Sequence, residues 1–445
     1  MRKYFLFILV SLMLLNGCVA EQNEMQIGLN FIRFYFGIND KSEELNTTTP
    51  FTQPEAIFAD FEALGVQGYR QAVKTDLLWN GVEPTNDNWN FEGPDSVLMN
   101  SVGEPIVTLF ALQYASPNGP WETANDTFDK VMDEDSIDYV TTVVKRYAPY
   151  VKYWEIGNEM DHWRASFDSG GRDLINGADE EKLPPNASEF TPEEQGVFLA
   201  QVSELIREND PDAVILMPGI AGLDDYTVDT WLGGVVKGGG TDWFDVVNYH
   251  YYGSWEKFSL LRKSFTRKLA EYGISDKPVW ETETGSSSNP DLVRRTNYPN
   301  SQESQASDVF RRLIQSYAYG DSYVSWHTYI SSSEEFGDWS AYGLVSDKGE
   351  RKLSYYAFKL LVDELIPFDS VEMVSTFSAM DGGVFEITTK TGELKYVAWG
   401  NSDYTLPANI TQMTSVVPND KGEFVWESVS AGETITLTEV PVIIK

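Results

Sequence analysis

Two short stretches of this 445-residue chain carry paired glutamates. "WEIGNEM" contains Glu155 and Glu159, and "KPVWETETG" contains Glu281 and Glu283. Both stretches otherwise have the apolar residues of buried strands, where an ionised carboxylate is costly to desolvate without a partner. Hydrolysis of a glycosidic bond requires two carboxyl groups, one protonated and one ionised. The four glutamates are therefore candidates for such a pair.

Strand periodicity separates the outer glutamate of each stretch from the inner one. Side chains in a strand alternate faces with period two, so Glu155 and Glu159 share one face, as do Glu281 and Glu283. Active sites of parallel barrels lie at the carboxyl ends of the strands, which favours Glu159 and Glu283. Glu155 is then expected to be a buried structural acid, with Arg70 as one candidate partner. Glu281 is the alternative nucleophile.

The elements that must position these residues alternate in type between residues 26 and 366. Eight strand candidates centre on 28–34, 65–71, 105–112, 151–158, 213–218, 244–251, 278–283 and 323–328. Helical patterns between them include 54–64, 137–147, 192–209, 260–272, 304–319 and 354–364. Repeated strand-then-helix order predicts a parallel sheet, and eight such units predict an α/β fold of the (β/α)₈ TIM-barrel type. A doubly wound open sheet is the alternative, but no glycine-rich phosphate loop follows the first strand.

The pattern changes over residues 367–445. Short stretches of alternating polarity, such as "GGVFEITTK" and "ELKYVAWG", are separated by turn signals at 381–383 and 390–392. This pattern predicts a small C-terminal antiparallel β-sandwich domain. No low-complexity linker separates it from the preceding region, so we expect the two domains to pack firmly together.

The N-terminus has the pattern of an export signal. A positively charged start precedes an apolar run over residues 4–15, which is too short to span a bilayer comfortably. The run ends in "LNGC", which resembles a bacterial lipobox, and Cys18 is the only cysteine of the chain. We therefore expect residues 1–18 to be a lipoprotein signal peptide and 19–25 a short tether to a membrane of the cell envelope. A plain secretory signal is the alternative.

Composition restricts the partners. The chain has 33 basic and 68 acidic residues, for a formal net charge of −35. Nucleic-acid binding needs a basic surface, so no nucleic-acid partner is expected. The negative charge also argues mildly against a strongly anionic substrate. Three histidines and one cysteine disfavour a zinc site, and neither a metal nor another cofactor is expected.

Four motifs occur in a characteristic order: "YWEIGNEM", "VVNYHYYG", "VWETETG" and "VSWHTY". The series resembles glycoside hydrolase clan A, the retaining (β/α)₈-barrel glycosidases. The layout is similar to both β-xylosidase/α-iduronidase-like and endo-β-glucanase-like members, and no single family fits throughout. The resemblance implies that Glu159, which follows Asn158, is the acid/base and that Glu283 is the nucleophile of a double displacement through a covalent glycosyl-enzyme.

The resemblance also implies a set of substrate-binding residues, namely Arg70, Asn158, His250, Tyr252 and Trp326. Tyr252 and Arg70 are placed to donate hydrogen bonds that favour an ionised Glu283. Trp326 is expected to form the floor of a sugar subsite. His327 lies on the opposite face of the strand by period two and is expected to be structural.

Two further tryptophans lie in predicted loops at the carboxyl ends of strands. Trp163 is close to Glu159 in the loop after the fourth strand, and Trp121 follows the third strand; both are candidate stacking platforms for a carbohydrate. We expect a retaining glycoside hydrolase acting on a polysaccharide or its oligosaccharides, with a neutral β-glucan or hemicellulose favoured by net charge. The alternatives are a non-catalytic surface glycan-binding lipoprotein and a transglycosidase. The presence of both Glu159 and Glu283 favours catalysis over binding alone.

Overall fold

The computed structural model describes residues 25–31, 54–71, 77, 79–109, 132, 134–161, 191–291, 300–331, 333–334, 340–377 and 382–445. The predicted signal peptide with Cys18, residues 19–24 of the predicted tether, Trp121 and Trp163 lie outside the described residues. The last residue assigned to the tether, Met25, is buried in the barrel, so the predicted boundary at 25 is wrong by one residue. Within the described parts of the chain, no helix is both long enough and apolar enough to cross a bilayer.

Eight parallel strands form one sheet. They are β1 Ile27–Phe31, β2 Gly68–Gln71, β3 Glu104–Thr108, β4 Tyr153–Glu155, β5 Val214–Leu216, β6 Val247–Tyr251, β7 Val279–Thr284 and β8 Tyr323–Trp326. Neighbouring strands follow the order β5-β4-β3-β2-β1-β8-β7-β6. Parallel bridges from Leu216 to Val246 and from Ile220 to Tyr249 connect β5 with β6 and close the sheet. The predicted (β/α)₈ barrel is confirmed, and the open-sheet alternative is wrong.

Helices surround the barrel and connect its strands. The described helices are Pro54–Leu64, Trp79–Val82, Glu92–Leu98, Glu134–Tyr147, Pro192–Asn209, Asp225–Thr227, Gly233–Gly239, Trp255–Glu271, Gln302–Ala318 and Leu353–Leu365, with a π-helical turn at Val228–Leu232. The helix at Pro192 begins with a capping box, in which the Thr191 side chain accepts from the Glu194 backbone N–H and the Glu194 side chain accepts from the Thr191 N–H. Such caps satisfy backbone donors that the first turn leaves without partners.

The barrel interior has an apolar lower part and a polar upper part. An apolar cluster fills the amino-terminal end with Met25, Ile106, Tyr153, Val214, Leu216, Val246, Trp280 and Tyr323. The next inward positions are buried and polar: Asn30, Arg70, Thr108, Glu155, Asn248, Thr282 and Ser325. Buried polar groups are stable only when hydrogen-bonded, so these side chains must pair mainly with one another. The carboxyl end of the barrel therefore has a closed floor and a polar layer directly above it.

The C-terminal region is antiparallel. Its strands are β9 Phe368–Thr376, β10 Gly383–Thr389, β11 Leu394–Trp399, β12 Asp403–Thr405, β13 Gln412–Ser415, β14 Glu427–Ser428, β15 Thr434–Thr436 and β16 Val442–Ile444. Six of them form a sheet in the order β14-β13-β16-β11-β10-β9, and β12 pairs with β15. An apolar cluster containing Val384, Ala398, Leu406 and Leu437 lies between the two sheets. The predicted β-sandwich is confirmed.

The opposite face of the six-stranded sheet packs on the barrel. Phe385, Trp399 and Ile443 belong to the same apolar cluster as residues of the barrel's outer helices. The Trp399 ring meets Trp255 edge-on at a centroid distance of 6.3 Å. The two units therefore share one hydrophobic core.

Candidate active site

Strand β4 ends earlier than the alternation predicts, and the backbone turns before it reaches Glu159. Gly157 has a φ of +81°, and Glu159 itself has a φ of +46°, which is uncommon for a residue with a side chain. The Glu159 N–H donates to the Gly219 carbonyl at 3.0 Å. The Glu159 side chain is 20% exposed, whereas Glu155 is fully buried. Glu159 is thus the outer carboxylate, as predicted, and its unusual backbone conformation is typical of functional sites.

Strand β7 contains an irregularity that changes which residues face inward. Two consecutive residues of β6 pair with Glu281 and Glu283, so Thr282 is an extra residue in the ladder. Glu281 instead accepts a hydrogen bond from Ser316 on the helix Gln302–Ala318. The expectation that Glu281 and Glu283 share a face is therefore wrong, because a β-bulge shifts the alternation by one residue. Glu281 faces the helices and is no longer an alternative nucleophile.

Trp326, the last residue of strand β8, and His327, the residue after it, lie on the faces opposite to those expected. Trp326 is fully buried in the core between strands and helices, and its indole N–H donates to the Tyr342 carbonyl at 3.2 Å. The His327 Nδ1 atom lies 3.7 Å from Oε2 of Glu283. Because Tyr323 begins the strand with an inward side chain, period two directs His327 inward and Trp326 outward. The predictions of Trp326 as a sugar platform and of His327 as a structural residue are wrong.

Arg70 connects three strands through hydrogen bonds from all three of its guanidinium nitrogens. Nε donates to Glu155 Oε2 at 2.6 Å, and Nη1 donates to Glu283 Oε1 at 2.5 Å. Nη2 donates to Asn158 Oδ1 at 2.7 Å. The pairing of Glu155 with Arg70 is confirmed. A planar, permanently charged guanidinium fixes the orientation of all three partners.

Glu283 is surrounded by groups that favour its ionised form. Besides Arg70, the Tyr252 hydroxyl donates to Glu283 Oε2 at 2.5 Å, so both predicted donors contact this carboxylate. Burial raises the pKa of Glu283, but His250, His327, Arg70 and the Tyr252 hydrogen bond outweigh burial and hold the pKa well below its ordinary value. Glu283 is therefore a carboxylate at neutral pH, as a nucleophile must be.

Glu159 has a different environment. Its Oε1 atom lies 2.8 Å from Nδ1 of His250. Burial lowers the pKa of His250, but the Glu283 charge and the hydrogen bond to Glu159 outweigh it and raise the pKa above its ordinary value.

One carboxylate oxygen of Glu159 and one of Glu283 lie within 4.8 Å of each other. Retaining glycosidases hold their two carboxyl groups about 5–5.5 Å apart, and inverting ones about 6.5–9.5 Å apart. The spacing matches retention.

Glu155 is saturated with donors. Besides Arg70, it accepts from Thr108 Oγ1 at 2.6 Å, Asn248 Nδ2 at 2.7 Å and the Gly219 N–H at 3.2 Å. A carboxylate offers about four lone-pair positions, and these four donors occupy them. Glu155 therefore organises the floor of the site and is not available to react with a bound molecule.

Gly219, three residues after the end of β5, is a site residue that the sequence analysis missed. A Cβ atom at this position would lie 2.1 Å from Nε2 of His250. Its N–H donates to Glu155, and its carbonyl accepts from the Glu159 backbone. The glycine in "LMPGI" was the available signal. Asn248 and Thr282 were also missed, although strand alternation makes Asn248 inward-facing.

The described part of the chain contains two groups of three acidic or histidine side chains that could hold a metal ion. Within each group, one possible ligand atom from each residue lies within 4.8 Å of those from the other two. One group is the Glu159, His250 and Glu283 set, and the other is Glu83, Asp87 and Asp138. Glu83 already accepts from the Trp79 indole at 2.7 Å and from the Asp87 N–H at 2.8 Å. In the first group, Glu159 is paired with His250, and Glu283 accepts from Arg70 and Tyr252. The expectation of a metal-free site stays a prediction.

No family model and no curated protein matches the chain. Solved structures do match. One is a family 39 glycoside hydrolase from Bacteroides cellulosilyticus WH2, with 17% identity, a TM-score of 0.65, and coverage of 95% of this chain and 81% of that one. A second is an α-L-arabinofuranosidase from Thermotoga maritima, with 12% identity, a TM-score of 0.59, and coverage of 95% of this chain and 96% of that one. A third is a β-xylosidase from Caulobacter crescentus CB15, with 14% identity, a TM-score of 0.54, and coverage of 95% of both chains. The resemblance to clan A is confirmed at the level of the fold.

Proposed function

We propose that this protein is a retaining glycoside hydrolase. The observation that carries the proposal is the pair of carboxyl groups at the carboxyl end of the barrel, with oxygens of Glu159 and Glu283 within 4.8 Å. Their environments differ as the chemistry requires. Arg70 and Tyr252 stabilise negative charge on Glu283, whereas Glu159 faces a histidine that can share a proton with it.

The geometry supports a double displacement. Glu283 attacks the anomeric carbon while Glu159 donates its proton to the departing oxygen, which leaves a covalent glycosyl-enzyme. Glu159 then takes a proton from water, and that water displaces Glu283 from the sugar. Asn158 is proposed to hydrogen-bond the sugar 2-hydroxyl, and its contact with Arg70 at 2.7 Å orients the amide for this role.

The proposed substrate is a neutral β-linked glucan or hemicellulose, or an oligosaccharide derived from one. A net charge of −35 supports a neutral rather than an anionic glycan. Two of the structural neighbours are named as a β-xylosidase and an α-L-arabinofuranosidase, so β-xylosides and α-L-arabinofuranosides belong in the first substrate panel.

We further propose that the enzyme is lipid-anchored in the bacterial cell envelope through Cys18. The support is the "LNGC" sequence after an apolar run, together with the absence of any other cysteine from the chain. Incorporation of labelled palmitate by the full chain, lost in Cys18→Ala, would test the anchor.

The function is tested with protein that starts after Cys18, using polysaccharides and aryl glycosides. We expect Glu159→Gln and Glu283→Gln each to lower kcat by at least about 100-fold on a natural glycan. Glu281→Gln is the matched control, because it makes the same change in a buried residue of the same strand outside the site. The first-formed sugar, followed by NMR, should keep the anomeric configuration of the substrate.

Four outcomes would contradict the proposal. Undiminished activity in either site variant would exclude the role of that residue, and an inverted product would exclude double displacement. Glycan binding without bond cleavage would favour the surface glycan-binding protein. Transfer of the sugar mainly to another sugar would favour the transglycosidase.

A further inference from the structure

A chain of hydrogen bonds connects buried Glu155 with Glu159 through three side chains. Asn248 Nδ2 donates to Glu155 Oε1 at 2.7 Å, and Thr282 Oγ1 donates to Asn248 Oδ1 at 2.7 Å. His250 Nε2 lies 3.1 Å from Thr282 Oγ1, and His250 Nδ1 lies 2.8 Å from Glu159 Oε1. The three connecting side chains are fully buried.

The donor and acceptor roles in this chain follow from its buried end. Glu155 acts as an acceptor toward Arg70 and three further donors, so Asn248 must present its NH₂ group to Glu155 and its carbonyl oxygen to Thr282. A threonine hydroxyl has one proton, and that proton is used toward Asn248. Thr282 can therefore only accept from His250, which requires a proton on Nε2 of the imidazole.

We infer that Thr282 and Asn248 are positioning residues that hold His250 with its proton on Nε2, so that Nδ1 shares with Glu159 the proton donated to the leaving group. This inference rests on the proposed function. Gly219 supports the arrangement, because any side chain there would collide with the imidazole.

The fixed tautomer has a consequence for the proton of the Glu159–His250 pair. If that proton is lost, a carboxylate faces the Nδ1 lone pair at 2.8 Å, which is unfavourable. The pair therefore retains its proton to higher pH than an imidazole that could change tautomer would allow. Other charged or titratable groups that act on the ring are Glu283 on β7, Arg70 on β2 and His327 directly after β8.

Thr282→Val tests the inference, with Thr282→Ser as the matched control. Valine offers no acceptor, so His250 can move its proton to Nδ1 and donate to an ionised Glu159. This stabilises the deprotonated pair. We therefore expect the basic limb of the pH profile of kcat/KM to shift to lower pH by roughly 1 unit, which is equivalent to the free energy of one hydrogen bond. Serine keeps the hydroxyl and should keep the limb in place.

Leaving groups give a second readout. The decrease in kcat/KM caused by Thr282→Val should be largest for substrates whose poor leaving groups need protonation. It should be small for a dinitrophenyl glycoside, whose leaving group needs no protonation. A purely structural role would lower kcat for all substrates and leave the basic limb unmoved. That result would overturn the inference.

The tautomer is also observable without activity, by ¹⁵N NMR of the imidazoles in the wild-type protein, which has three histidines. We expect a protonated Nε2 in His250 over the whole pH range of the folded state. An unprotonated Nε2 in His250 would overturn the inference even in an active glycosidase. A protonated Nε2 in a protein whose Glu159→Gln and Glu283→Gln variants remain fully active would instead overturn the proposed function.

Discussion

Arg70 donates to Glu155, Glu283 and Asn158 while being fully buried. Removing a charged group from water is costly, and two carboxylates offset that cost here. In the proposed mechanism, the same contacts hold Glu283 in position for attack and hold Asn158 toward a bound sugar. A single side chain therefore couples the folding of the polar layer to the geometry of the proposed reaction.

Arg70→Lys retains the charge but replaces three donor nitrogens by one. We expect kcat to fall by roughly 100-fold or more, since Lys cannot position Glu283 and Asn158 together. Arg262→Lys is the control, because Arg262 forms another buried ion pair, with Asp321, away from the site. Steady-state kinetics on the folded fraction should show a loss of activity only for Arg70→Lys; equal losses would mean that Arg70 acts only through stability.

At the scale of the element, the bulge in β7 directs the side chains of two glutamates that are two residues apart into different surroundings. Glu283 enters the site, and Glu281 faces the helix Gln302–Ala318. Burial, with a contribution from the charge of Asp321, raises the pKa of Glu281 to about 8. The folded protein therefore holds a neutral carboxyl group here at neutral pH.

Glu281→Gln should stabilise the protein in a pH-dependent way. In the unfolded state, Glu281 releases its proton above the ordinary pKa of 4.5. In the folded state the raised pKa keeps this proton bound to higher pH. The wild type thus loses stability as the pH rises from there toward about 8, and glutamine avoids this loss. Melting temperatures should differ little at about pH 4 and increasingly favour the variant up to about pH 8. A constant difference across this range would contradict the assignment.

At the scale of the whole molecule, the β-sandwich completes the core of the barrel. Trp399 stacks on Phe385 at 4.7 Å and meets Trp255 of the barrel's outer layer. Gln26, just before β1, pairs its side-chain amide with both backbone groups of Phe368, at 3.0 and 3.2 Å. The first strand of the barrel and the first strand of the sandwich are thereby held together.

Trp399→Ala should destabilise both domains together. Removing a buried tryptophan costs about 3–5 kcal/mol, and the cavity would open in the core that the two domains share. Val425→Ala, in the same domain but 67% exposed, should have almost no effect. Thermal unfolding followed by circular dichroism and by loss of activity should give one coincident transition at a lowered temperature. Separate transitions for sandwich and barrel would show that the domains fold independently.

The sequence by itself determined the eight strands, the sandwich after them and the outer position of Glu159 and Glu283. These features depend on local patterns, because apolar periodicity reports which residues a strand or helix buries. The pairing of Glu155 with Arg70 was also within reach, since a buried acid needs a buried cation.

Only the tertiary structure decided which of Trp326 and His327 faces the site and that Glu281 does not. Both depend on inter-strand register, and a shift of one residue moves every following side chain to the other face. The bulge in β7 exists through pairing with β6, which is distant in sequence. The spacing of Glu159 and Glu283, and the hydrogen bonds that orient His250, likewise arise only when the barrel closes and brings β2, β4, β6 and β7 around one axis.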